Sequence, residues 1–165
     1  MHSTAAQLSN HIKRAVSGPM WHGPSLDELL ASVSSDRAAA RPIPGAHSIW
    51  EIVLHVTAWA EIAQARLHGQ RIGDPTPDED WPPVPDVNTA ANWHTALERL
   101  RESYRALATD TRRLEPSAFD EKVSGLEYSV SNLLHGVIEH ATYHGGQIAL
   151  LKRALEADDG QRRTR

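Results

Sequence analysis

Four stretches of the chain repeat their apolar residues at the three- and four-residue steps of a helix with one buried face. The first runs from about Ser3 to Val16, sets Leu8, Ile12, Ala15 and Val16 on one side, and is closed by Gly18 and Pro19. The second opens at Ser48, where Ser48 and Glu51 form a capping box after Pro42, Pro44 and Gly45, and carries Ile52, Val56, Trp59, Ala63 and Leu67 before stopping at Gly69. The third is the most regular, with Trp93, Leu97, Leu100, Tyr104, Leu107 and Leu114 in a seam and Glu98, Arg99, Arg101, Glu102 and Arg105 on the opposite face. The fourth runs from about Val130 to Leu155 through Leu134, Val137, Ala141, Ile148 and Leu151. A shorter helix is expected at Ser25, where Ser25 and Glu28 make a second capping box ahead of Leu26, Leu29 and Leu30.

No segment alternates apolar and polar residues long enough to read as a strand. The expectation is an all-α protein, a four-helix bundle forming one domain over residues 1–155, with a flexible polar tail over 156–165. The link between the second and third helices is unusual. Residues 69–88 hold Pro75, Pro77, Pro82, Pro83 and Pro85, five of the chain's ten prolines, and would reach about 60 Å if extended. That is twice the roughly 30 Å of the second helix, so the segment is expected to be a long proline-rich crossover that lets the second and third helices run parallel. Its Asp78, Glu79, Asp80 and Trp81 could line the rim of a pocket.

Composition narrows the function. The 165 residues are 40% hydrophobic and 23% charged, with a net charge of −4 and interleaved signs, so no basic stripe suits a nucleic acid. Glu51, His55 and Glu61 interrupt the best apolar run, and the start carries no secretory pattern, so a soluble, cytoplasmic protein without a membrane partner is expected. Cysteine is absent, which removes disulfides, thiolate ligands and cysteine nucleophiles. Two excesses stand out: ten histidines, and five tryptophans among nine aromatic residues.

His140 and His144 lie four residues apart, hence one turn apart on one helix face. His144 occupies a seam position between Ala141 and Ile148, with His140 flanking it, and His55 sits among Ile52, Trp59 and Ile62 at the middle of the second helix. Three inward imidazoles on two helices can reach one point, whereas without a metal each buried ring would need its own hydrogen-bond partner. A three-nitrogen set suits zinc, nickel, copper, iron or manganese alike, and keeps a coordination position open. Glu51, one turn before His55, is a candidate fourth ligand or general base, although its place in the cap explains it fully. Trp59 and Tyr143, with Trp81, are candidates to frame an apolar pocket, and Gln147 could contact a ligand. His22, His47, His94 and His135 show no such geometry. The adjacent Gly145 and Gly146 suggest close backbone approach by a neighbouring helix or a ligand.

The strings GAHSIWEIVLHVTAW (Gly45 to Trp59) and VIEHATYHGGQIALLKRAL (Val137 to Leu155) resemble the DinB superfamily, four-helix bundles related to the YfiT-like metal-dependent hydrolases. The resemblance runs from the first helix to Leu155 and includes DEDWPPVP (Asp78 to Pro85). It implies a divalent metal, zinc or nickel, on His55, His140 and His144, and a homodimer. Relatives include enzymes that add low-molecular-weight thiols such as bacillithiol or mycothiol to electrophiles, so the resemblance implies a small-molecule substrate and a thiol cofactor. A metal-dependent hydrolase using bound water, or a non-catalytic metal or ligand binder, are the alternatives.

Overall fold

The computed structural model describes residues 4–70 and 73–163, with the side chains of 158–163 left aside, and every regular element in it is helical. These are α1 (Thr4–Ser17), α2 (Leu26–Leu30), α3 (Ser35–Ala39), α4 (Ile49–Leu67), α5 (Pro77–Asp80), α6 (Ala90–Arg112) and α7 (Val130–Arg163), with a 3-10 turn at Pro116–Phe119. The protein is all-α. None of its described helices is long and apolar enough to cross a membrane.

The helix starts follow local chemistry. The Ser48 hydroxyl accepts from the Glu51 N–H at 3.2 Å and the Glu51 carboxylate accepts from the Ser48 N–H at 2.7 Å, which satisfies two otherwise orphaned donors of α4. Gly69, with φ +74°, takes the left-handed turn that ends α4. Two short helices were not expected. In α5 a third capping box joins Thr76 to Glu79 with proline at the helix start, a signal present in T-P-D-E but submerged among prolines. In α3 the Ser34 hydroxyl caps Arg37.

The four long helices pack around one core: α6 lies against α1 and α4, and α7 lies against the same two. Trp50 at the start of α4 meets Trp93 at the start of α6 (ring centroids 5.1 Å apart), and Gln64 at the far end donates to Asp110 at 2.7 Å, so α4 and α6 run parallel. Arg66 at the end of α4 reaches Tyr128, just ahead of α7, so α4 and α7 run antiparallel. Ile12, Trp50, Leu100, Leu107 and Leu134 are wholly buried. Each such side chain stabilises the fold by about 1.5–3 kcal/mol through burial alone. The seam expected for α7 is the buried row Leu134, Val137, Ala141, Ile148 and Leu151, with His144 buried in the same row.

Helix α7 continues past Leu155 to Arg163, while Thr164 and Arg165, like Ser3, lie outside the described residues. Glu156 and Ala157, the first residues after the apolar repeat, are exposed. Adding residues to an existing helix costs no new nucleus, so the helix need not end with its apolar repeat.

The paired glycines of α7 do not answer to close packing. A Cβ on Gly145 would meet Leu26 and Leu29 of α2 at ordinary contact distances of 3.5 and 3.6 Å, and one on Gly146 would meet nothing within 4 Å. Gly146 is also exposed. Gly146→Ala is therefore expected to stabilise the protein by about 1 kcal/mol, the helix-propensity difference, read as a higher urea midpoint at unchanged slope. An unchanged or lower midpoint would show that this surface is occupied.

Candidate metal centre

Helix α4 supplies His55 and helix α7 supplies His140 and His144, at the level where the two antiparallel helices face each other. His55 and His144 are buried, and His140 is half-buried. The Nε2 atom of His140 stands 2.9 Å from that of His55 and 3.1 Å from that of His144. One ligand atom from each of the three falls within 4.8 Å of the others, so the group can hold a metal ion.

The far side of each ring decides what these nitrogens present. His55 Nδ1 is 2.6 Å from the backbone carbonyl of Asp80, which can only accept, so Nδ1 carries the proton and Nε2 is a bare lone pair. His144 Nδ1 is 2.7 Å from the Gln147 side-chain oxygen, with the same consequence. A neutral His140 has at most one Nε2 proton for two facing lone pairs. One of the two short contacts is then lone pair against lone pair, unless a cation stands between them. Tetrahedral zinc with nitrogen ligands at 2.0–2.1 Å places those nitrogens about 3.3 Å apart, close to the spacing found. The donor set fits a metal, and two of its three rings have the carbonyl-type partner that orients a ligating imidazole. The third does not: His140 Nδ1 is buried without a partner among the described residues.

Proton occupancy points the same way. Burial pushes His55 below its ordinary value, against the opposing pull of the Asp80 carbonyl and carboxylate. Burial also pushes His144 down, although its bond to Gln147 works in the other direction. His140 is lowered to about 3, first by burial and then by the neighbouring His144 and His55. At neutral pH all three are free bases.

Trp81 closes one side. Its ring is stacked between His47 at 3.6 Å and His55 at 3.9 Å, nearly parallel to both. On the other side, His55 and His140 open on a cavity of about 490 Å³ walled by Trp59, Leu133 and Val137. Asp80 also faces this space, its carboxylate accepting from Trp59 Nε1 at 2.7 Å and standing 3.3 Å from His55 Nδ1.

The other sequence candidates divide. Trp59 lines the cavity. Tyr143 does not: it is 64% exposed, and its hydroxyl accepts from Gln147 at 3.1 Å. Gln147 orients His144 rather than facing the cavity. Glu51 is not brought to the histidines, because its carboxylate is held by the Ser48 cap and by Arg41, with His47 at 3.6 Å. Burial raises that carboxyl, but the Ser48 bonds together with Arg41 and His47 outweigh it and hold it below its ordinary value, a poor setting for a general base. Reading the sequence missed His47 and Arg66. His47 precedes its helix and so falls outside any periodic pattern. Arg66 did leave a signal: it follows His55 and Trp59 at helical spacing, a charge on an otherwise apolar stripe.

These features define an all-helical protein with a three-histidine group able to hold a metal ion beside a cavity. The chain belongs to the DinB superfamily, whose family model matches residues 21–148, a span that contains all three histidines but not α1. No curated protein and no solved structure matches it.

Proposed function

We propose that His55, His140 and His144 hold one divalent transition ion, zinc or nickel, and that the protein transfers a low-molecular-weight thiol to an electrophile held in the adjoining cavity. In this reading residues 1–155 are a single four-helix-bundle domain and residues 69–88 are its proline-rich crossover. The parallel course of α4 and α6 supports that, since their connection must return the length of a helix. The observation that carries the metal is the convergence of three Nε2 atoms, two of them stripped of protons by the carbonyl oxygens behind their rings.

A divalent ion in such a site lowers the pKa of a thiol or water that joins it. The chain's own residues do the rest. The Asp80 carbonyl and the Gln147 amide hold two imidazoles in the ligating tautomer. Trp81 covers His55, and Trp59, Leu133 and Val137 offer an apolar surface to the electrophile. The sequence has no cysteine, so in this reading the sulfur comes from an external thiol. A hydrolytic reading has one observation in its favour, the Asp80 carboxylate on the cavity wall, which could take a proton from water.

The test is a turnover screen pairing several low-molecular-weight thiols with several electrophiles, run on zinc- and nickel-loaded protein and on His55→Ala. Metal activation contributes several kcal/mol to such reactions, so the wild-type rate should exceed that of the variant by at least about 100-fold. Equal rates for every pair would sink thiol transfer, and the same protein tested with esters and amides would then examine hydrolysis.

A further inference from the structure

The cavity beside the histidines has a second polar end, built around Arg66. This side chain is only 6% exposed, and it lines the cavity together with Tyr128 and Asn132. Its Nη1 donates to the Tyr128 hydroxyl at 2.7 Å and its Nη2 to the Gly73 carbonyl at 3.3 Å. Its guanidinium carbon lies 5.8 Å from the centre of the Trp59 ring. Its Nε is sealed from solvent and has no acceptor among the described residues. No carboxylate pairs with it among the described residues, so a full positive charge is buried against neutral partners alone. Arginine is charged at any working pH, and a buried charge without a counter-charge is among the most costly arrangements a fold can carry.

Tying the end of α4 to Tyr128 before α7 and to Gly73 in the segment after α4 would explain those two bonds, but not the uncompensated charge. An anion in the cavity answers the charge, since Arg66 lines that space. The Tyr128 hydroxyl accepts from Arg66 and therefore keeps its own proton to donate. The acid at the opposite end, Asp80, is already engaged with Trp59 and His55 and faces the histidines.

We propose that Arg66 and Tyr128 form a carboxylate subsite, so that the cavity takes a small organic acid with an apolar body. One carboxylate oxygen accepts from an Nη N–H of Arg66 left over from its bonds to Tyr128 and Gly73, the other accepts from the Tyr128 hydroxyl, and the body lies along Trp59, Leu133 and Val137. The remainder of the acid points toward His55 and His140. A monoanion suits the site better than a phosphate dianion, because the lining contains one cation and one carboxylate. This deepens the proposed function by naming the substrate class of the same cavity, and it rests on that cavity being the substrate site. The subsite itself needs no metal.

The test is calorimetric titration of chelator-treated, metal-free protein with 3-phenylpropionate and with straight-chain carboxylates from butyrate to octanoate, each beside its primary amide. Charge-assisted hydrogen bonds to a buried guanidinium predict that the best acid binds roughly 10- to 100-fold more tightly than its amide. Arg66→Gln should erase that preference. Tyr128→Phe, a change at a half-buried hydroxyl that leaves the helices alone, should weaken the acid several-fold, so the proposal stays testable if Arg66→Gln fails to fold. Acids and amides binding alike, or no acid binding at all, would overturn the subsite while leaving the metal reading intact. Phenyl phosphate binding more tightly than every carboxylate would overturn the choice of a monoanion. Retained acid binding in a protein that takes up no metal would sink the metal reading alone.

Discussion

Protein reloaded with zinc or nickel is expected to hold about one equivalent, and His55→Ala, His140→Ala and His144→Ala are each expected to lose it. One candidate ligand comes from α4 and two from α7, so removing any one leaves at most two nitrogens for the ion. Loss of an outer partner of a ligating histidine already costs about 10- to 100-fold in affinity. Removing a ligand should cost more, at least about 100-fold, enough to empty the site during desalting. The variants should remain helical, because the wholly buried leucines and Trp50 lie elsewhere in the core. Elemental analysis beside circular dichroism reads both quantities. Wild-type protein that takes up no metal after reloading, or any one variant that keeps a full equivalent, would rule the triad out.

The second large effect concerns acid. His55, His140 and His144 all have folded-state pKa values below the ordinary histidine value near 6.5, His140 at about 3, with burial the main cause in each. Between those values the unfolded chain takes up protons that the folded chain refuses. Stability of the metal-free protein is thus fully present above pH 6.5 and is lost as pH falls toward the folded values. The slope is at most about 1.4 kcal/mol per pH unit for each refused proton, less where water reaches the ring. The lowered carboxyls, Glu51 among them, act in a separate window below their ordinary value of 4.5. Urea unfolding of metal-free protein at pH 7, 6 and 5 should show a steady fall, and His140→Leu should flatten it. Metal loading should protect, because an imidazole that binds a metal must first lose its proton. Equal slopes for wild type and His140→Leu would mean that His140 is protonated in the folded state.

Most of the helical plan was legible because it depends on short-range chemistry. The Ser48 and Ser25 caps and the seam row of α7 lie where the sequence places them, as do Trp93, Leu100, Tyr104 and Leu107 of α6, while Leu97 is only half-buried and Leu114 falls past the end of that helix. Periodicity was a weaker guide where burial and helicity part company. Helix α7 outlasts its apolar row, and α5 hides in a segment whose prolines read as loop. Glu51 shows the same limit in the site. Its spacing to His55 allowed a role beside the histidines, but a carboxylate has only two oxygens, and both are taken by the cap and Arg41.

Residue identity and spacing were enough to determine that this chain is helical, that His140 and His144 share a face, and that a third histidine lies at the middle of another long helix. Those are properties of one turn or one seam, and they are encoded locally. Tertiary structure alone decided that α4 and α7 meet at the level that brings the three Nε2 atoms together. It also decided that the Asp80 carbonyl, far along the chain, sets the His55 tautomer, and that Arg66 is buried at the other end of the cavity without a counter-charge among the described residues. Each of these depends on contacts between separate elements, whose pairing follows from how whole helix faces pack; local spacing can at most place a residue such as Arg66 on an apolar stripe, not say what it meets there.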